Sequence, residues 1–574
     1  MNEKPLSIEE RRDGLARMAR DGVDVLVIGG GITGAGVALD AAARGYRVGL
    51  VEKADFASGT SSKSTKLVHG GIRYLSQFDF ALTRESLVER GLLLRNAPFL
   101  VQPIGFLLPL YAGAKKPMGT PIRLPFGFGM GYILRAGLIL YDMLAGRLGL
   151  QPHRRLSKTK LSRMAPCLKT DKLEDAFIYF DGQTDDTRLV MTVLRTAVDQ
   201  GASIANYAEV TGFEMAGGQI DAVHIADRLG GEGYSIRARK VVNAAGASAG
   251  TIEEMAGVSS IRIKPAKGVH LTVARESLKM GKYAMVLPET DDGRLLFLVP
   301  WGPRVTIGTT DTEGGDINDA TAGPADIEYL LRHVNRYMRC RLEESDIISA
   351  WAGYRPLISS RKSSAQSSKL SRTHAVLDGP GGMVSIVGGK LTTYRRMAQD
   401  TVDHLVRGWG KKPPKHSITA NLALEGTADR ELATADLESR SVEYGLEADV
   451  IRRLSLYGTE LFAILDIMAT DAAMRRRIVP DLPYVMAEVV YACRREMVAN
   501  LDDVLERRVH ISFEDRDRGT TVAPAVAEVM AVELGWDAAE VVRQVERYRR
   551  RTASDARWST ALSGGKEPER VQIL

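Results

Sequence analysis

Near the start of the chain, Gly29-Gly30-Gly31-Ile32-Thr33-Gly34 reads G-x-G-x-x-G, a spacing suited to holding phosphate against backbone amides. Gly29 permits a tight turn, Gly31 lets the backbone approach a pyrophosphate, and Gly34 lets helix and strand pack closely. The flanks supply what the motif requires: Asp24–Ile28 reads as an apolar strand, Ala35–Arg44 as a helix, and Val48–Val51 as a second strand ending in Glu52. Amides at the start of that helix face the negative charge. Glu52, 21 residues beyond Gly31, is placed to accept hydrogen bonds from an adenosine ribose. These residues predict a bound dinucleotide on a Rossmann-type unit, and they do not separate FAD from NAD.

Beyond Glu52 the chain runs Gly59-Thr60-Ser61-Ser62-Lys63-Ser64-Thr65-Lys66-Leu67-Val68-His69-Gly70-Gly71-Ile72-Arg73-Tyr74-Leu75. This run resembles the segment that follows the ribose acid in FAD-dependent glycerol-3-phosphate dehydrogenases. Further blocks similar to that family follow in its order: Lys267-Gly268-Val269-His270, Ile307-Gly308-Thr309-Thr310-Asp311, Gly353-Tyr354-Arg355-Pro356-Leu357 and Gly388-Gly389-Lys390-Leu391-Thr392-Thr393-Tyr394-Arg395. With Ala487-Glu488-Val489 and Asp502–Arg508, which resemble the family's appended helical domain, the similarity covers roughly residues 20 to 550. It implies FAD as cofactor, sn-glycerol 3-phosphate as substrate and oxidation to dihydroxyacetone phosphate. Related glycerophosphate oxidases often carry a long insertion after the Arg355 block, where this chain has only the Ser/Lys-rich stretch Ser359–Ser371, so the resemblance leans toward a dehydrogenase. The alternative is an oxidase that passes electrons to oxygen and makes peroxide.

Oxidising a secondary alcohol needs a hydride acceptor at carbon and a base for the hydroxyl proton, and an oxidised flavin accepts hydride at N5. A phosphate dianion needs fixed cationic donors, for which Arg offers a planar fork and Lys a point charge. The resemblance places Arg73, Arg355 and Lys390 around the substrate, whereas most of the 77 Lys and Arg residues must be solvated surface. His270 is the leading base, because imidazole titrates near neutral pH and the family carries a histidine in this block. A strand-edge histidine is the bland alternative, with Arg355 polarising the hydroxyl instead. Tyr74 either bonds the phosphate or packs, and His69 either joins the site or shapes the flavin loop. Thr60, Ser61, Ser62 and Ser64 offer hydroxyls to the flavin. Backbone amides around Gly389, Lys390 and Leu391 would stabilise charge on the reduced ring. The turn Asn243-Ala244-Ala245-Gly246 resembles a second dinucleotide contact, or is a plain β-turn.

The family's dehydrogenases reduce a membrane quinone, so the resemblance implies contact with a bilayer without a span. Between Arg123 and Leu150, Phe126, Phe128, Met130, Ile133, Leu134, Leu138, Ile139 and Leu140 stand beside Arg123, Arg135 and Arg147, a mixture that suits an interface or a core. Basic clusters at Arg475–Arg477 and Arg549–Arg551 would meet anionic lipid or water. The uncharged run Asn96–Ala114 is broken by three prolines and predicts no transmembrane helix. The expected place is the cytoplasm, at the inner face of the cell membrane, and a homodimer stays open.

The elements that position these residues read as α/β from Val23 to about Gly410, a Rossmann-type FAD-binding domain with an interleaved mixed α/β substrate (cap) domain. Apolar strand-type runs such as Val25–Ile28, Val48–Val51, Lys240–Asn243 and Val384–Val387 alternate with Gly-rich turns. After Lys411-Lys412-Pro413-Pro414, apolar residues recur at helical spacing, as in Tyr484–Tyr491, and an all-α domain is expected over residues 411–550. Residues 1–22 read as an N-terminal extension without a signal sequence, and 551–574 as a loose tail. With 574 residues and 44% hydrophobic content the chain can bury a large core. A net charge of +6 is permissive for anionic ligands, and no nucleic-acid module is recognisable. Three cysteines, Cys167, Cys340 and Cys493, lie too far apart in sequence to suggest a zinc site or disulfide framework, and no metal is expected.

Overall fold

The computed structural model describes residues 6–112, 130–259, 261–317, 320–358, 373–407, 409 and 416–555. Its first sheet is centred on the strand Val23–Ile28, which pairs in parallel with Gly233–Asn243 on one side and Val48–Val51 on the other. Val384–Val387 and Ser203–Ala205 extend it in parallel, and Ala375–Asp378 closes one edge antiparallel. All four strand-type runs singled out in the sequence fall in this sheet. A parallel sheet must be covered on both faces, which is why its strands are apolar throughout. Val25, Val27 and Leu50 pack with the helices Ile32–Ala43, Asp186–Asp199 and Tyr394–Leu405 on one face. Leu26, Ile28 and Val51 pack on the other face against Leu15 and Met18.

Those last two residues belong to the supposed extension. Residues Ile8–Asp21 form an amphipathic helix capped by Ser7, whose side chain accepts from the Glu10 amide. Buried Arg11 ties the helix down through Asp227 and the carbonyls of Asn206 and Tyr207.

A second, ten-stranded sheet carries Gln102–Tyr111, so the proline-bearing uncharged run of the sequence is largely strand. Among the described residues no helix is long and apolar enough to cross a membrane. At the heart of this sheet, Ile263–Ala274 pairs antiparallel with both Arg304–Gly308 and Ile347–Ile358.

From Arg430 onward the chain is helical, with cores built on Leu437, Ile464, Val485 and Tyr491 and on Leu482, Val504, Val526 and Tyr548. Residues 416–427, which precede the first of these helices, cling to the dinucleotide unit: Ser417 and Thr419 donate to buried Asp40, and the Leu424 amide donates to the Asn96 carbonyl. The helix Ala538–Asp555 runs past the expected start of the tail and buries Thr552, because Tyr548 and Thr552 repeat on its inner face. Residues 411–414, 359–371 and 556–574, on which three of the readings above fell, lie outside the described residues.

Candidate active site

A cleft of about 770 Å³ runs between the two sheets. It is lined by Glu52, Lys53 and Ala208–Val210, by Gly29, Gly31–Thr33 and Ser58–Ser61, and by Gly388–Leu391 and Ala350–Tyr354. The glycines are needed where the reading of the sequence put them. A Cβ on Gly34 would fall 1.9 Å from the Gly29 carbonyl oxygen, and one on Gly29 would fall 2.6 Å from that of Ala244. The Asn243–Gly246 turn therefore lies directly against the phosphate-type loop, and Ala244–Ala247 line the cleft. Glu52 accepts from the amides of Gly30 (2.7 Å) and Ala54 (3.0 Å), which aim its carboxylate. Burial pushes its pKa above the ordinary carboxylate value, against the pull of those two amides. A cleft lined by a glycine turn at a helix start, an oriented acid and two left-handed glycines, Gly388 and Gly389, fits FAD.

Of the hydroxyls assigned to the cofactor, Ser61 accepts from the Ile32 amide at the helix start and lines the cleft. Thr60 also lines it but donates to the Tyr354 carbonyl, which pins the segment to the second sheet. Ser64 is committed to Asp186. Ser62 differs from the expectation: it is buried, does not line the cleft and directs Oγ toward the Gly59 carbonyl, because its short helical turn faces inward.

Cross-strand register explains how the second sheet arms the cleft. His270 pairs with Trp351, Gly268 with Gly353 and Ala266 with Arg355, so all six share one face of the sheet. The two glycines make room that the Arg355 and Lys63 side chains fill, and of this face Trp351 and Gly353 line the cleft while His270 and Arg355 do not. The Arg355 guanidinium folds over Gly268, where a Cβ would fall 2.5 Å from it, and donates to the Thr309 hydroxyl, the Thr310 carbonyl and Asp311. His270 is 2% exposed, stacks on Trp351 at 4.2 Å and shares a hydrogen bond with the Thr65 hydroxyl at 2.9 Å through Nε2. Its Nδ1 has no hydrogen-bond partner among the described residues.

This burial changes the acid–base reading of His270. Desolvation first, then Arg355 and Lys66, push its pKa down to about 3, far from the neutral range expected from the sequence. The imidazole is therefore neutral throughout the physiological range and in the form that accepts a proton. Because kcat/KM reports the free enzyme, His270 should contribute no acid limb between pH 5 and 8. A limb near pH 6.5 that disappears in His270→Gln would refute this placement. The same shift has a stability sign: the unfolded chain binds the proton below about 6.5, so stability should fall progressively as pH drops from there toward 3.

A second group forms where the HGG-x-RYL run meets the GGKLTT block. The His69 amide donates to the Thr392 hydroxyl, and the Lys390 amine stands 3.8 Å from the centre of the buried Tyr74 ring while donating to Ser86. Arg73 is half-buried one residue before Tyr74 on the short helix Ile72–Ser76. Tyr74 thus supports Lys390 rather than standing alone, and Lys390 and Leu391 line the cleft where the short helical turn Leu391–Thr393 begins. Thr65, Trp351 and Asp311 were not singled out from the sequence. Trp351 had a signal, since it lies four residues before Arg355 on a strand and so must share its face.

The one cluster among the described residues with metal-ligand geometry is Asp185, Asp186 and His510. It is already compensated: Lys66 pairs with Asp186 at 2.6 Å and Arg453 with Asp185 at 2.9 Å.

A dinucleotide cleft on a parallel sheet, roofed by an antiparallel sheet that presents a buried histidine and an arginine, defines an FAD-dependent oxidoreductase. The family model for FAD-dependent oxidoreductases matches residues 24–395, and that for the C-terminal domain of alpha-glycerophosphate oxidase matches residues 417–541. Glycerol-3-phosphate dehydrogenase 2 of Mycobacterium tuberculosis is 37% identical over 94% of this chain and 89% of its own length. The mitochondrial glycerol-3-phosphate dehydrogenase of Homo sapiens is 35% identical over 92% of this chain and 72% of its own. A crystal structure of glycerol-3-phosphate dehydrogenase from Bacillus halodurans complexed with FAD superposes with a TM-score of 0.76 at 30% identity, covering 96% of this chain and 98% of that one. The chain belongs to the FAD-dependent glycerol-3-phosphate dehydrogenase family.

Proposed function

We propose that this protein oxidises sn-glycerol 3-phosphate to dihydroxyacetone phosphate and passes the electrons to a membrane quinone. What supports the reading is that Lys390 lines the dinucleotide cleft together with Trp351 and Gly353, which share a sheet face with His270 and Arg355. FAD, when bound, supplies the acceptor for the hydride leaving C2. Arg355, Lys390 and Arg73 hold the phosphate, Arg355 with the fork that suits a dianion. Tyr74 positions Lys390. His270, kept neutral by burial and held through Nε2 by Thr65, is the base that takes the C2 hydroxyl proton in this reading. Phosphate bound at Arg355 offsets the positive charge that depresses His270, so substrate strengthens its own base.

Support for a lipid-facing acceptor comes from the helix Met130–Ala145. The mixed sequence there divides cleanly: Leu138 is buried, Leu134 and Leu140 are packed against the core, and Tyr132, Ile139 and Met143 are 75%, 44% and 70% exposed. Their spacing of seven and four residues puts these three on one helix face. The exposed pair Phe78 and Phe80 lies at the start of Phe80–Asn96, which packs against this helix. An apolar face flanked by Arg135 and Arg147 suits the inner, anionic face of a cell membrane. The two basic clusters contribute less than their sequence suggests, since Arg475 stacks on Tyr444, Arg477 pairs with Asp449 and Arg551 with Glu506. Phe126 and Phe128 lie outside the described residues.

Anaerobic addition of sn-glycerol 3-phosphate should bleach the flavin's visible absorbance, and glycerol should not. A flavin that stays oxidised under excess substrate refutes the reading. Peroxide formed per turnover, with and without a quinone analogue, separates quinone from oxygen as acceptor.

A further inference from the structure

The cleft is also lined from the C-terminal helical region. Phe513 and the last turn of the helix Ala538–Asp555, through Arg551, Ser554 and Asp555, reach it beside Lys63. Lys63 sits between the phosphate loop and the second sheet. Its amide donates to the Thr60 carbonyl at 3.1 Å, two residues from the point where Ser61 meets the helix start. Its side chain packs over Gly353, where a Cβ would fall 2.5 Å away.

The amine of Lys63 pairs with Glu506 and stands 4.6 Å from the centre of the Phe513 ring. Glu506 is shared, because it also holds Arg551 and, at 3.4 Å, Arg507. Lys63 thus shares its carboxylate with Arg551, which Asp502 also holds, and with Arg507, which Asp55 and Asp503 also hold. Of the other nearby acids, Asp502 is also held by Arg547, and Asp186 is held by Lys66. The charges that act on Lys63 come from every element packed around it: Glu506 and Arg507 of the 503–508 segment, Arg551 and Asp555 of the last helix, and Asp186 of the helix Asp186–Asp199. Burial first, and Arg551 next, push its pKa down to about 7. A buried cation short of counter-charge is stabilised by an incoming anion. The other cations lining the cleft are Lys53, next to Glu52, and Lys390, in the Gly388–Leu391 turn, whereas Lys63 follows the Ser61 that meets the helix start and Arg551 shares its Glu506.

We propose that Lys63 and Arg551 form an anion-holding pair for the diphosphate–ribityl stretch of FAD, so that the C-terminal helical region completes the cofactor site. This rests on the cofactor and is independent of the substrate reading. The test is reconstitution of the full-length apoprotein with FAD, followed by flavin fluorescence and by the rise in Tm that FAD confers. Lys63→Met and Arg551→Met should each weaken FAD binding by ~10–100-fold, the worth of a charge-assisted contact, with a smaller FAD-induced rise in Tm. Wild-type affinity should fall as pH rises from 7 toward 9, because binding must then bring a proton to Lys63. Lys63→Arg should keep the affinity and lose that pH dependence. Unchanged FAD affinity with equal loss of apo and holo Tm overturns the proposal, as does a pH dependence that persists in Lys63→Arg, the variant that decides if Lys63→Met does not fold.

Discussion

Arg355→Ala should yield a folded, yellow protein with a full complement of FAD whose kcat/KM for sn-glycerol 3-phosphate is about 10²–10³-fold lower, the usual loss on removing a positioned charge-stabilising donor. The guanidinium lies over Gly268 on the face that bears His270 and is held by Thr309, Thr310 and Asp311. These partners belong to the second sheet and the turn after it, so the cofactor should remain. Arg355→Lys keeps charge but loses the planar fork and should recover only part of the activity. FAD content by absorbance and steady-state kinetics check both. Wild-type kinetics in Arg355→Ala would remove this residue from substrate binding.

Asp55→Ala should cost about 3–5 kcal/mol of stability, the range for breaking a buried pair by removing one partner. The carboxylate is fully buried and accepts from Arg507 at 2.5 Å, from Arg508 twice at 3.0 Å and from Asn206 at 3.2 Å. Its loss removes the carboxylate that two buried guanidinium groups share at the junction between the dinucleotide unit and the helical region, leaving Arg507 to Asp503 and Arg508 to Glu496. A chemical denaturation midpoint measures the effect, and Asp55→Asn, which preserves shape and one acceptor oxygen, should lie between. A midpoint equal to wild type would mean that the junction does not depend on this carboxylate.

How much of this could be read in the residues differs by kind. The glycine turn, Glu52 and the four strands of the first sheet were legible because local chemistry dictates them: positive φ at Gly29, close approach at Gly34, and apolar runs that only a doubly covered sheet accepts. His270 and Arg355 were legible as types, and their relation was not, because it depends on a register of two strands some 80 residues apart in sequence. The acid–base state of His270 was misread from its intrinsic chemistry, since the burial that depresses it comes from Trp351 and Thr65, neither adjacent in the chain. Ser62 looked like its neighbours and turned inward, a choice made by three residues of helical geometry. The reach of Arg551 and Asp555 into the cleft carried no local signal, and the helix that delivers it ran on through residues read as tail.

The pairing of Asp55 with Arg507 has a temporal consequence. These residues are 452 positions apart, so a ribosome adding 5–20 residues per second makes the acid roughly 20–90 s before its partner. During that interval the nascent N-terminal unit carries a carboxylate whose eventual burial site lacks its counter-ions. Burial of Asp55 with its counter-ions must therefore wait until Arg507 and Arg508 have been made and have folded back onto the N-terminal unit.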